Sequence, residues 1–418
     1  MNRLNLTVLA FFLLAGSLVL VEKGNAQTTD RFSISGQLRQ RTEYSAKDFN
    51  ADVSNPFYSL LRTRLNVGVN ASEDVKAFVQ FQDSRTWGGE NAAIGRGTLD
   101  GSAPQIDVHQ AYFEVSDVFN SHVRAKIGRQ EINVGNERLV GAVGWHNVGR
   151  TFDAARFGYT VENISFDVFA ARLIGNTSNT FGDNLFGVVG GFQLAENQRL
   201  EPLILLDNST NPIVNGPDDG KNTLQRLTLG AAFNGHSSGF EYELEAYYQA
   251  GDQLEAATGK RGSIEAHLAS ARVGYLLNSE KGLKVGALFT VVSGDDQATD
   301  GKIKNFDTLF ATNHKFYGFM DYFVGAGSFA RGLQDVAATL SMKGSDKATL
   351  AVGIHHFTAP QAPAGISNTL GQEIDFTVNY AYNKALGLTG GISAFLPGDD
   401  FGGKDNGFWA YLATTVTF

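Results

Sequence analysis

The feature that most limits this chain is a hydrophobic period of two that runs along nearly all of it. In the segment 240–248, Phe240, Tyr242, Leu244, Ala246 and Tyr248 share one parity, and Glu241, Glu243 and Glu245 the other. On a helix the three carboxylates would scatter around the cylinder; on a strand they form a single polar line. Arg62, Arg64, Asn66 and Asn70 alternate in the same way with Leu61, Thr63, Leu65, Val67 and Val69. Glu373, Asp375, Thr377 and Asn379 alternate with Ile374, Phe376, Val378 and Tyr380. A soluble sandwich of this size would need large apolar residues on the inner faces of both its sheets. Here the second face is Arg, Glu, Gln, Ser, Thr and Gly throughout. Half-apolar strands of this kind can instead cross a bilayer, provided they close into a barrel in which every backbone group finds a partner.

Export signals fit that solution. Arg3, the apolar stretch from Leu4 to Val21 and the small residues Gly24-Asn25-Ala26 predict a signal peptide over residues 1–26. Residues 27–418 then form a single outer-membrane barrel domain, since no Pro-rich linker, charge run or change of period divides them. The sequence has no Cys, which excludes a lipoprotein anchor and a disulfide framework. No later run is apolar enough for a transmembrane helix. With 48 Gly, 31 Phe and 13 Tyr against 8 Pro, the composition suits strands, tight turns and aromatic girdles. A net charge of −9 argues against a nucleic-acid partner.

Strand-like segments begin near Arg31, Phe57, Asp74, Asp107, His122, Gly149, Asn163, Asp183, Arg199, Thr223, Gly239, Gly262, Gly282, Thr308, Gly332, Asp346, Leu370, Leu386 and Gly407. Those at Arg199 and Thr308 are the weakest. Single-chain bacterial barrels have an even strand number, so one of the two is expected to be loop. The prediction is therefore all-β: a transmembrane, antiparallel, up-and-down barrel of about 18 strands with a polar lumen. Short turns such as Ser72-Glu73-Asp74 and Asn383-Lys384 alternate with longer loops at 88–106, 207–222, 294–305 and 397–407. In the last segment Phe408, Ala410, Leu412, Thr414, Val416 and Phe418 would face lipid, with Trp409, Tyr411, Thr415 and Thr417 inward. A final strand ending in Phe418 resembles the signal read by barrel-assembly machinery, which makes that machinery an expected partner.

Eight strands give a barrel filled by side chains, whereas sixteen to eighteen leave an aqueous channel. The polar parity places Arg39, Arg41, Arg62, Arg64, Lys76, Arg124, Lys126 and Arg156 on an early, basic wall. Acidic lining falls later, at Glu241, Glu243, Glu245, Glu373 and Asp375. Guanidiniums in such a wall concentrate anions and hold carboxylates by forked hydrogen bonds, and Arg rings make anion-selective pores. The competing account is that these acids and bases pair with one another and stabilise the wall.

Between Gln82 and Tyr159 the residues carry motifs: Gln82-Asp-Ser-Arg-Thr-Trp87, His109-Gln-Ala-Tyr-Phe-Glu114, Ile127-Gly-Arg-Gln-Glu131, Gly135-Asn-Glu-Arg-Leu-Val-Gly141 and Trp145-His-Asn-Val-Gly-Arg-Thr-Phe-Asp153. A second block runs from Phe306 to Phe323. Together they resemble the alginate-export barrel family. The resemblance implies an eighteen-stranded outer-membrane barrel, monomeric, with an Arg-rich interior that guides a polyuronate. By motif match it carries Arg129, Arg138, Arg150 and Asp153 over as family positions. Each has a plainer account as a loop-anchoring ion pair near a barrel rim. Strict alternation sets Arg129 on the outward parity of Ile127, so only a bulge would bring it inside.

No catalytic residue, metal site or cofactor is predicted. Gly-x-Ser-x-Gly and His-Glu-x-x-His are missing, and His355 and His356 are adjacent on a strand, pointing to opposite faces. Asp295, Asp296 and Asp300 lie in a Gly-containing loop but miss the EF-hand spacing, and read as solvated acids. The expectation is a channel, not an enzyme, in the outer membrane of a Gram-negative-type bacterium, in contact with lipid and lipopolysaccharide. It would pass anionic or polar saccharides or other small polar solutes. The alternatives are a general diffusion porin with mixed lining, and a loop-mediated binding or adhesion protein whose barrel is plugged.

Overall fold

The computed structural model describes residues 31–50, 52, 55–89, 106–174, 183–209, 224–254, 260–297, 300–324, 329–362, 365–399, 401–402 and 405–418. The signal peptide expected at 1–26 and most of loop 88–106 lie outside these residues.

The strands are β1 (Phe32–Ala46), β2 (Phe57–Asn70), β3 (Val75–Thr86), β4 (Asp107–Val115), β5 (Val123–Gln130), β6 (Phe152–Val161), β7 (Ile164–Ile174), β8 (Asp183–Ala195), β9 (Gln198–Ser209) and β10 (Leu224–Ser237). They continue with β11 (Phe240–Leu254), β12 (Arg261–Asn278), β13 (Leu283–Val292), the two-residue β14 (Lys302–Ile303), β15 (Leu333–Ser345), β16 (Ala348–Thr358), β17 (Thr369–Ala381), β18 (Leu386–Pro397) and β19 (Gly407–Thr417). Every barrel strand pairs antiparallel with its sequence neighbours, and β13 pairs directly with β15. β19 closes onto β1 over the register Gln37↔Thr417 to Ala46↔Phe408. β14 only edges β12, in parallel. The barrel thus has eighteen strands.

The segment at Arg199 is strand, as β9. The one at Thr308 is not: it belongs to a long excursion between β14 and β15. Its apolar residues pack inside the lumen, so a strand-like run is satisfied without joining the sheet.

The parity rule holds along the wall. Exposed apolar side chains such as Ile34, Leu38, Phe157, Val168, Leu244, Phe289, Ile354, Ile392 and Leu412 make the lipid face. Their neighbours Arg39, Arg62, Gln80, Glu245, Ser270, Asp335, Glu373 and Trp409 are buried inside. Short turns gather at one end and long loops at the other, which in such barrels are the periplasmic and outer ends respectively.

Candidate functional site: a lumen crossed by two inward loops

Two long loops do not stand clear of the barrel. The β5–β6 loop (131–151) touches β1 and β2 at one end and β11 and β12 at the other. In a closed ring of eighteen strands those pairs lie on opposite walls, so the loop must cross the lumen. The described part of the β14–β15 loop (304–324 and 329–332) enters the lumen as well, reaching β11, β16, β17 and β18.

The β1–β2 wall holds the first loop through guanidiniums. Arg39 donates to the carbonyls of Gly144 (2.8 Å) and Trp145 (3.0 Å). Arg62 donates to those of Gly144 and His146, both at 3.2 Å. Arg41 reaches the Trp145 carbonyl at 2.6 Å, pairs with Glu43 at 2.7 Å and lies 3.9 Å over the Trp145 ring. Arg64 binds Gln82, Glu131 and His109. Backbone carbonyls removed from water need donors, and four arginines in a row on two strands supply them. The cluster also sets charge states in the loop. Burial, and then Arg41 and Arg39, push the His146 imidazole below its ordinary value. Its Nδ1 accepts from the Val148 amide at 3.3 Å, as a neutral ring can. Burial acts to raise Glu131, but His109 and Arg64 outweigh it and hold the carboxyl below its usual range.

At the opposite wall Arg138 is buried against Glu245. Glu245 Oε2 accepts from Arg138 Nε (3.1 Å) and Nη2 (2.9 Å), with the two side chains 2% and 1% exposed. Arg138 also donates to Ser270 Oγ and lies 3.7 Å over the Phe316 ring. Asn136 donates to Glu243. Arg150 donates to the carbonyls of Gly141, Phe310 and Ala311, tying the two loops together. Glu137 joins them again, accepting from Thr312 and Lys315.

The second loop seats on polar wall groups. Gln249 donates to the Asp307 carbonyl and accepts from its amide, as a strand neighbour would. Glu373 Oε1 accepts from the Met320 amide at 2.8 Å. Gly318 has φ +79°, and a Cβ there would lie 2.6 Å from the Glu373 carboxylate, so the seat fits glycine alone. Between the loops and the wall, Ile132, Leu139, Phe306, Phe323, Phe357, Phe395 and Trp409 form an apolar core inside the barrel. Trp145 stacks on His314 at 4.6 Å between centroids.

Among the described residues, cavities border this plug. One of about 390 Å³ lies between Arg150, Arg226, Asp207, Asp307 and Phe310. One of about 650 Å³ is lined by Arg199, Glu241, Glu243, Arg272 and Lys284. A third, about 260 Å³, shares Arg272 with it and adds Lys315, Phe316, Phe319, His355 and Asp375.

The remaining sequence-predicted residues do not join one cluster. Lys126 pairs with Glu114, and Arg156 with Asp167 at 2.7 Å. Glu241 pairs with Lys284. Lys76 and Arg124 lie toward the short-turn ends of β3 and β5. Arg129 and Asp153 pair with each other at 2.9 Å, 43% and 57% exposed, on the outer face of the wall. Lys304 sits between Asp296 and Asp300. His355 binds Asp335 from the inside, whereas His356 is exposed. Arg272 escaped the sequence reading, although it shares the parity of Ser270 on β12 and directly opposes Glu243. Among the described residues it makes no hydrogen bond or ion pair.

A closed eighteen-stranded barrel with a lipid-facing apolar belt and a polar, loop-narrowed interior defines an outer-membrane channel for small solutes. The chain belongs to the alginate export family, whose model matches residues 30–407. No curated protein matches it. The fold is similar to OccK8 (OprE) of Pseudomonas aeruginosa, with a TM-score of 0.64 and 13% identity, covering 94% of this chain and 99% of that one. OccAB4 of Acinetobacter baumannii gives a TM-score of 0.60 at 9% identity, covering 94% and 100%. OpdK of Pseudomonas aeruginosa, solved with vanillate, gives 0.59 at 10% identity, covering 92% and 98%.

Proposed function

We propose that the barrel is a narrow, selective passage for small polar solutes, with anionic or polar saccharides the class it favours. The observation that carries this is the division of the lumen into cavities whose walls mix charged, amide and aromatic side chains. A solute rich in hydroxyls is held by that combination of hydrogen bonds and ring faces, and the two inward loops, which meet in mid-lumen among the described residues, favour it over a general diffusion porin.

The basic lining enters this reading with its roles divided. Arg39, Arg41, Arg62, Arg64, Arg138 and Arg150 act mainly as loop anchors, since carbonyls and carboxylates occupy them. Lys126, Arg156, Glu241, Glu243 and Glu245 are paired wall groups. Arg124, Lys76 and above all Arg272, at the junction of two cavities, supply charge to a passing anion. Arg129 and Asp153 take no part in the path.

The plugged-barrel alternative also has an observation in its favour, because the two loops meet in mid-lumen. Purified protein in a planar bilayer under asymmetric KCl, with liposome swelling in neutral, anionic and cationic sugars, separates the readings. Small conductance with anion preference, and faster entry of uronates than of amino sugars, is expected. Clear cation preference would overturn the anionic path. Large ohmic conductance without discrimination would make it a general porin, and negligible conductance a plugged binding protein.

A further inference from the structure

Glu373 and Asp375 set two carboxyls side by side beneath the β14–β15 loop. They stand two residues apart on β17, so both point into the lumen, and they are 0% and 3% exposed. Glu373 Oε1 accepts from the Met320 amide at 2.8 Å, and Asp375 Oδ1 accepts from the Ser393 hydroxyl. The two carboxyls also hydrogen-bond each other, with the Phe319 amide facing both. Glu373 Oε2 is buried and has no N–H or hydroxyl donor among the described residues. Ionised carboxylates only accept, so contact between two of them is a hydrogen bond only if one keeps a proton. A proton on Glu373 Oε2, donated to Asp375, leaves no buried oxygen without a partner.

The groups packed around the pair do not take that proton's place. From β16, His355 faces Asp375, but its Nδ1 is held by Asp335 of β15 at 2.9 Å. Lys47 of the β1–β2 loop acts on Glu373 from a distance and lies 4.6 Å over the Trp409 ring. Tyr322 of the β14–β15 loop gives its hydroxyl to the Lys47 carbonyl, and Tyr411 of β19 reaches Asp375 only through its field. Arg272 and Lys315 border the same cavity as Asp375, with Lys315 paired to Glu137. None of these forms an ion pair with either carboxyl among the described residues. The loop closes the remaining side: a Cβ on Gly318 would lie 2.6 Å from the Glu373 carboxyl, so the seated backbone keeps water from it. Two like charges so placed repel strongly, and a shared proton removes one of them.

We propose that Glu373 and Asp375 form a proton-shared latch that keeps the β14–β15 loop seated in the lumen and releases it as the pH rises. The sense follows from counting protons. The seated loop holds one proton that a released, hydrated pair gives to bulk water at neutral pH, so seating is linked to proton uptake and weakens as the pH rises. The ratio of released to seated loop then climbs roughly tenfold per pH unit over the range in which only the seated pair keeps the proton. Losing that proton strands Glu373 Oε2 and sets two charges against each other where the Met320 amide is held, so the loop backbone gives way. The latch acts on the plug whatever solute passes, and does not rest on the solute class proposed above.

The test follows the full-length barrel from about pH 6 to about pH 10 in two readings, planar-bilayer conductance and chymotrypsin cleavage after Tyr317. Tyr317 is 0% exposed while the loop is seated, so cleavage reports release even where little current flows. Wild type is expected to gain conductance and cleavage as the pH rises. E373Q carries a permanent donor in place of the shared proton and should stay closed across the range. E373A loses the Met320 acceptor as well and should be open already at the acid end, with little further rise. A residue with a merely structural part would move both variants the same way. Heat-modifiable migration verifies folding; should E373Q misfold, D375N, whose amide can donate to Glu373, should likewise shrink the alkaline rise. A wild type flat in both readings, an alkaline rise retained in the folded glutamine or asparagine variant, or E373Q and E373A equally open at the acid end would each overturn the latch.

Discussion

Replacing Glu245 with Ala should open the barrel, and the buried contact with Arg138 sets the size of the effect. The two side chains are 2% and 1% exposed, and one carboxylate oxygen accepts both guanidinium bonds. Breaking a buried pair by removing one partner costs about 3–5 kcal/mol, because the other charge is left uncompensated. Ser270 Oγ and the Phe316 ring still face Arg138, so the lower end applies here. About 3 kcal/mol shifts the ratio of seated to released loop by roughly two powers of ten. E245A should therefore raise unitary conductance in planar bilayers and expose the Arg138 bond to trypsin. E245Q, which keeps the shape and one acceptor, should fall between. The informative control is R138M/E245L, since an apolar replacement of a whole buried pair is close to neutral, and this double variant should return toward wild type. The reasoning is refuted if E245A keeps wild-type conductance and protease resistance, or if R138M/E245L opens the pore further than E245A.

Other consequences are equally direct. Gly318→Ala places a methyl 2.6 Å from the Glu373 carboxylate at φ +79°, so it should unseat the β14–β15 loop and increase conductance while leaving heat-modifiable folding intact. Acid should loosen the β5–β6 loop through His146. A depressed value means that the released loop binds the proton more tightly, so seating is fully favoured above about pH 6.5 and weakens as the pH falls through the depressed value. H146Q should flatten that part of the pH dependence of conductance, and an identical profile would remove His146 from the account. Deleting Phe418 removes two backbone bonds to Gly36, at 2.8 and 3.1 Å, from the seam that closes the barrel. It should lower the yield of heat-modifiable barrel without altering conductance per folded molecule.

The wall was legible because its two environments differ so sharply. Lipid on one side and water or polar side chains on the other force every strand into alternation, and a period of two survives even in β9, where Pro202 interrupts the donors. The plug was not legible, and the reason is physical. Residues 131–151, 304–324 and 329–332 bury apolar side chains against other loops and against the inside of the wall, so they follow no fixed period. Phe306, Phe316 and Phe323 look like strand residues at Thr308 because a buried loop and a buried strand use the same side chains.

The arginines show how far parity reaches. It assigns Arg39, Arg62 and Arg64 to the polar parity, but cannot reveal that loop carbonyls wait beside them as acceptors. A guanidinium that donates to three or four fixed oxygens is spent as an anion contact, whatever its charge does to the field. On the function proposed above, selectivity would then rest on cations that the loops leave unsatisfied. Arg272 is the clearest of these, although it sits among glutamates on the wall that sequence marks as acidic. Charge summed along a strand is thus a poor guide to what a solute meets. In a barrel narrowed by its own loops, the loops determine which wall charges remain available.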